Sequence, residues 1–391
     1  MNTSPAFPYH LLVNSPYGLL PLDSTREHLP LPAGPESLPT GLSCGPYLRA
    51  LKDFFSRSSH HSLTSVLSLY MDSTAPLDEI RRVDIISEKH GAVYQVARVR
   101  VSLGDQHFSF VVNTAVKPEQ KAFLETEYVL LHELHERFGL PWLPRPLLKG
   151  EAACTDSEGR PATLSMFVAE WFEGYHEFHL SREKDGDGYL IKVWGDKEGD
   201  HFLDAEKTRS LYRRAAAILT SYLDTETLCQ VYPWHHAAGD FVVHTDGDDV
   251  QVRMVTARDY RCLLPCQPGP EEKIIGIIHF FVNLTLRMRL DRLDGVGSPV
   301  WAASDSLDGV VSGFLDSWHL KALADPRLPG PDEVLGLFRS FSPDEWKSLA
   351  EVVVQHGMVE RDEGRFLEGL TETHALELAD VLRSSSRVFC P

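Results

Sequence analysis

Between Val83 and Phe138 the hydrophobic pattern changes from a period of two to one of about 3.6, and that change most constrains what the chain can fold into. Val83 to Ile86, Val93 to Val101 and Phe108 to Ala115 alternate as strands do, joined by Ser87-Glu88-Lys89-His90-Gly91 and by Gly104-Asp105. Connections this short make sequential strands antiparallel. Glu119 to Phe138 then reads as a helix, with Pro118 at its first turn and Phe123, Leu124, Val129, Leu130, Leu131 and Leu134 on its expected buried side. Leu147 to Ala153 and Thr163 to Trp171 add two more strands. The pattern predicts an α+β chain in which residues 81–172 form a small, antiparallel, five-stranded sheet lobe with one helix.

The flanks read differently. Residues 1–46 hold nine of the 25 prolines, which opposes regular structure, although Leu11, Leu12, Leu19, Leu20 and Leu22 call for a packing partner. Tyr47 to Phe55 and Ser62 to Tyr70 have helical spacing, so residues 1–80 are expected to form an N-terminal extension with short helices. Past residue 173 the chain is mostly helical: Ala205 to Leu223, Glu271 to Leu293, Leu307 to His319, Pro331 to Phe341, Asp344 to His356 and Glu360 to Leu382. In the acidic insertion Ser181 to Asp204, Asp185-Gly186-Asp187-Gly188 lacks the later Glu of a calcium loop and reads as a hairpin turn. Residues 173–391 therefore make a larger helical lobe.

Composition narrows the function classes. A net charge of −18 opposes general nucleic-acid binding, which needs clustered Lys and Arg, and favours cationic small molecules. No apolar run reaches the roughly 20 residues of a membrane span, and no basic-then-apolar leader opens the sequence, so a cytoplasmic location off the membrane is expected. The six cysteines, at 44, 154, 229, 262, 266 and 390, fit no disulfide framework, and Cys262 with Cys266 lacks the second pair of a zinc site.

Chemistry concentrates in Val231 to Tyr260. Thr245-Asp246-Gly247-Asp248 supplies a tight turn between the β-rich runs Phe241 to His244 and Val250 to Thr256. The hairpin at 239–260 holds Asp240 at its entrance and Asp259 at its exit, and the fold-back brings these acids close. Two carboxylates at neighbouring strand ends suit a base and a metal ligand. The alternative is a strand-entry turn, Gly239-Asp240-Phe241, with a capping Asp.

This stretch resembles the catalytic segment of the aminoglycoside phosphotransferase-like branch of the protein-kinase-like fold, where a Gly-Asp-aromatic loop precedes a hairpin and a second Asp follows it. The resemblance implies two lobes, with ATP and Mg2+ as cofactors. Asp240 would then be the catalytic base toward a small-molecule hydroxyl, His236 its orienting partner and Asp259 the magnesium ligand. The family's own orienting His falls at the position of Ala238 here. The resemblance also implies a cation on the third strand held by a helix carboxylate, for which Glu127 in Leu124-Glu125-Thr126-Glu127 is the match. The family's cation position is Asn113 here, and Lys117 is the substitute that strand alternation offers, or else a solvated Lys at a strand end. The family's Asn, five residues past the catalytic Asp, is Thr245. Glu170 to Gly174 occupies the position of the adenine-holding crossing. The implied activity is ATP-dependent phosphotransfer. The alternatives are a weak or inactive kinase-like module that binds nucleotide or a partner, and a nucleotidyl transferase on the same fold.

Overall fold

In the computed structural model the strand-to-helix sequence read from residues 83–138 is present. The structure describes residues 7–15, 17–31, 41–88, 93–183, 188–195, 199–234, 237–262, 269–357 and 361–385. Two compact units divide the chain, Met1–Glu173 and Gly174–Pro391.

The first unit is built on a sheet of seven strands, not five. Its members are β1 (Tyr9–Ser15), β2 (Gly18–Pro21), β3 (Ile80–Ser87), β4 (Gln95–Leu103), β5 (Gln106–Ala115), β6 (Pro146–Thr155) and β7 (Pro161–Glu170), in the order β2-β1-β3-β4-β5-β7-β6. The two added strands come from the proline-rich arm. Prolines at 8, 16 and 21 leave Tyr9–Ser15 proline-free, so every amide of β1 can join a ladder. β1 runs parallel to β3, with Leu11 opposite Ile85, and places Leu11 and Val13 against the core.

Helix α1 (Cys44–Met71) breaks at Arg57–His60, where the backbone leaves helical angles, and so contains the two short helices the sequence predicts. Its Tyr47, Leu51, Phe55, Leu63 and Leu67 bury against Val83, Ile85, Val99, Phe110, Val112, Met166 and Val168. The strands alternate, so Val111, Asn113 and Phe167 face the other side. There α2 (Pro118–Phe138) packs, with Tyr128 and Phe167 rings 5.9 Å apart. Leu124, Leu130, Leu131 and Leu134 of α2 are buried as expected, but Phe123 is 62% and Val129 42% exposed. At about 100° per residue Val129 falls off the stripe that the four leucines share, whereas Phe123 lies within its angular range but in the first turns of the helix, where it is left uncovered.

The second unit opens with β8 (Phe178–Arg182), β9 (Tyr189–Val193) and β10 (His201–Phe202), a three-stranded antiparallel sheet. The turn expected at Asp185 to Gly188 lies for the most part outside the described residues. Helix α3 (Ala205–Ser221) follows, capped by Asp204, whose carboxylate accepts from the Lys207 amide at 2.8 Å. Next come β11 (Cys229–Val231), the single turn α4 (Ala237–Asp240), β12 (Phe241–Asp246), β13 (Asp249–Met254) and β14 (Tyr260–Cys262). The remainder comprises α5 (Pro270–Arg287), β15 (Leu290–Arg292), β16 (Pro299–Trp301), α6 (Ser304–Ala324), α7 (Pro331–Ser340), α8 (Pro343–His356), α9 (Arg361–Glu368) and α10 (Thr371–Ser384).

Its core is aromatic: Phe281 stacks on Phe338 at 4.2 Å and edges Phe314 at 4.9 Å, with Trp318 and Trp346 buried around them. Helices α3 and α6 approach closely because Gly309 and Gly313 present no side chain to the α3 backbone. Among the described residues no helix is long and apolar enough to cross a membrane.

Candidate functional site

The segment around Asp240 is fixed by its hairpin. β12 and β13 pair from Phe241 opposite Met254 to Asp246 opposite Asp249, so the turn falls at Gly247-Asp248, and Gly247 takes the positive φ of 55° that this turn needs. The Asp240 carbonyl continues the ladder by accepting from the Val255 amide at 2.9 Å. Strand β12 thus starts directly after Asp240, with no loop between.

That placement decides what Asp240 touches. Its side chain is 1% exposed, and Arg258 meets both oxygens, Nη2 at 2.6 Å from Oδ1 and Nη1 at 2.8 Å from Oδ2. The Oδ2 contact is a hydrogen bond and the Oδ1 contact an ion pair by distance alone, and a buried carboxylate needs such a cationic partner. Arg287, also buried, lies behind this pair. It donates to the Trp234 carbonyl at 3.1 Å, the Tyr232 hydroxyl at 3.2 Å and Asn283 Oδ1 at 3.2 Å. Burial lowers the Arg287 pKa, opposed by the nearby Tyr232, Glu363 and Asp240.

Asp259 has a different environment. Its carboxylate is 48% exposed, with Oδ1 accepting from the Tyr260 amide at 2.8 Å and Oδ2 3.6 Å from Arg261 Nε. Its carbonyl accepts from the Tyr232 amide at 3.1 Å, which ties the β14 entrance to β11. Arg258, one residue earlier, links Asp259 in sequence to the acid at the hairpin entrance.

Thr245 sits at the far end of β12, opposite Val250. Five strand residues advance about 16 Å, so Thr245, His244 and Asp246 are all carried away from Asp240. Magnesium accepts one or two carboxylates completed by phosphate and water. Asp259 fits that role as a single carboxylate, whereas Asp240 has its oxygens committed to Arg258. Among the described residues no group of three or more His, Cys, Asp or Glu side chains could hold a metal ion.

The remaining expected residues divide between the units. Lys117 is the N-cap of α2, two residues past the end of β5; its amide donates to Gln120 Oε1 at 3.3 Å. Asn113 lies within β5, opposite Phe167 on β7 and Val96 on β4. Glu127 is buried on α2, while Glu125 is an exposed partner of Lys149. Glu170 ends β7, its amide donating to the Arg145 carbonyl at 3.0 Å. In the second unit, the Gly174 carbonyl accepts from His244 Nδ1 at 2.8 Å, which fixes the proton on that nitrogen. His236, and the greater part of the Ser87 to Gly91 turn, lie outside the described residues.

Sequence reasoning missed two features here. One is Arg258, whose only signal is its place directly before Asp259. The other is a disulfide that the scattered cysteine spacing did not signal: it joins Cys229 to Cys262, cross-strand partners on β11 and β14. Because the hairpin folds back, residues separated by 33 positions come into register. In the chain-entropy account a loop of that size is worth about 4 kcal/mol of stability.

No protein-family model matches this chain, and no curated protein sequence matches it. Among solved structures it is similar to the Legionella pneumophila effector kinase LegK7, determined in complex with human MOB1A, at 12% sequence identity and a TM-score of 0.26. The match covers 73% of this chain and 52% of that one, so the chain spans about half the length of the kinase it matches.

Proposed function

We propose that this chain is a kinase-like nucleotide-binding module in which phosphoryl transfer is weak or absent. The observation that carries the reading is the Asp240–Arg258 pair: a base must reach the substrate hydroxyl, and this carboxylate is enclosed with both oxygens engaged. The strand that begins at Phe241 supports it as well, since it leaves no loop in which a second metal-holding side chain could follow the acid. Asp259 is the proposed magnesium ligand, and Lys117, Glu127, Glu170 and Gly174 are the proposed nucleotide contacts. ATP and Mg2+ supply phosphate charge and its neutralisation when bound; Asp259 holds the metal side of that pairing.

The second reading, an ATP-dependent phosphotransferase acting on a cationic small-molecule hydroxyl, draws on the 28% exposure of the Arg258 side chain. An arginine that reaches solvent can exchange its carboxylate for an incoming phosphate and free Asp240.

Calorimetric titration with ATP, with and without Mg2+, on the wild type and on Asp259→Asn tests the binding claim. Binding that needs both the metal and Asp259 supports it. Absence of heat with either nucleotide form removes it.

A further inference from the structure

We propose that Cys229 and Cys262 are a redox switch, closed as the observed disulfide and opened by reduction, that sets how firmly the Arg258–Cys262 segment is held. The cysteines are cross-strand partners at the outer end of a ladder with three residue pairs, the others being Gln230 with Arg261 and Val231 with Tyr260. A two-stranded ladder this short is marginal on its own. The bridge is its covalent clasp.

The position of the clasp gives it reach. Between the two sulfurs lies the stretch containing Asp240, the β12–β13 hairpin, Arg258 and Asp259, and Asp259 stands three residues before Cys262. With the bridge open, β14 is held by its ladder bonds, by the Tyr260 hydroxyl donating to the Tyr222 carbonyl at 2.9 Å, and by the Arg258–Asp240 pair. Reduction therefore loosens the segment without unfolding the unit.

The chemistry is accessible. Both cysteines are partly exposed, whereas Cys44 is buried. Closure runs by thiol–disulfide exchange with a low-molecular-weight disulfide such as glutathione disulfide. One Cys thiolate attacks a sulfur of that disulfide, a mixed disulfide forms and one glutathione thiolate leaves. The second Cys thiolate then attacks the protein-bound sulfur and expels the second glutathione. Two protein thiols are oxidised and one external disulfide is reduced to two thiols. None of this depends on nucleotide binding.

The test uses the full chain equilibrated in oxidised and in reduced glutathione, with peptide mapping of the 229–262 link and amide hydrogen exchange over residues 255–262. The expected result is a linked peptide in the oxidised buffer and an exchange rate at residues 258–262 that rises roughly tenfold or more on reduction. Cys229→Ser should show the fast rate in both buffers, while Cys44→Ser keeps the response. A linked peptide with equal exchange in both buffers overturns the switch, and so does the absence of any linked peptide across the glutathione range. The wild type alone in the two buffers decides the matter if Cys229→Ser does not fold.

Discussion

Arg258 meets both carboxylate oxygens of Asp240 from 18 residues downstream, so the hairpin's entrance and exit are joined by a side-chain pair whose carboxylate is buried. This contact makes Asp240 an anchor of the second unit. It also makes the acid expensive to leave alone.

Replacing Arg258 with Met removes the partner and leaves a buried, unpaired carboxylate, at an expected loss of about 3–5 kcal/mol. The double variant Arg258→Met with Asp240→Leu should recover most of that loss, because an apolar pair of similar volume leaves no charge uncompensated. Urea denaturation of the two variants and the wild type reads the difference. Equal stability of the single and double variants would show that the unpaired carboxylate is not what destabilises the single one, and equal stability of the single variant and the wild type would show that the pair contributes nothing to the fold.

Gly313 faces the α3 backbone so closely that an added Cβ would lie 1.9 Å from the Arg213 carbonyl oxygen. Gly313→Ala must push α3 and α6 apart, with an expected cost at or above the usual 1–3 kcal/mol, in round figures, of overpacking. Gly336, inside α7, has nothing within 4 Å of the same atom. Gly336→Ala should instead stabilise by about 1 kcal/mol through helix propensity. Opposite shifts in thermal midpoint are expected; a lowered midpoint for both would place the close approach elsewhere.

His374 is buried beside Thr285 and Arg289, with Nε2 3.2 Å from Thr285 Oγ1 and Nδ1 3.5 Å from Arg289 Nη1. Burial first, and Arg289 second, push its pKa down from 6.5 to about 3. The unfolded chain therefore binds a proton below pH 6.5 that the folded chain refuses until about pH 3. Its contribution to stability is complete above pH 6.5 and is lost as pH falls toward 3, at a slope of up to about 1.4 kcal/mol per pH unit. His374→Asn should flatten the wild-type acid limb of stability against pH. An unchanged limb in the variant assigns the acid sensitivity to other groups.

Much of this architecture could be read from the residues because it rests on local signals. Alternation in Val83–Ala115, the Pro118 start of α2 and the Asp-Gly turn of the 239–260 hairpin each act within a few positions. β1 was not legible: its stability comes from a parallel partner, with Leu11 opposite Ile85, and composition near Pro8 and Pro16 argues the other way. The Asp240–Arg258 contact and the Cys229–Cys262 bridge were hidden for a related reason. Each depends on which residues a fold-back brings opposite one another, and a one-residue change of register would put those side chains on opposite faces. The acids at 240 and 259 stand out in the sequence; the arginine that pairs with the first does not.

The most direct test of the central claim is phosphate release from ATP by the wild type and by Asp240→Asn, measured with Mg2+ under conditions where calorimetry detects nucleotide. Wild-type release is expected to be no faster, within about twofold, than that of the variant, as follows from an Asp240 that pairs with Arg258 instead of the substrate. Turnover by the wild type at an enzymatic rate, falling about 100-fold or more in Asp240→Asn as the loss of a catalytic base requires, would contradict it.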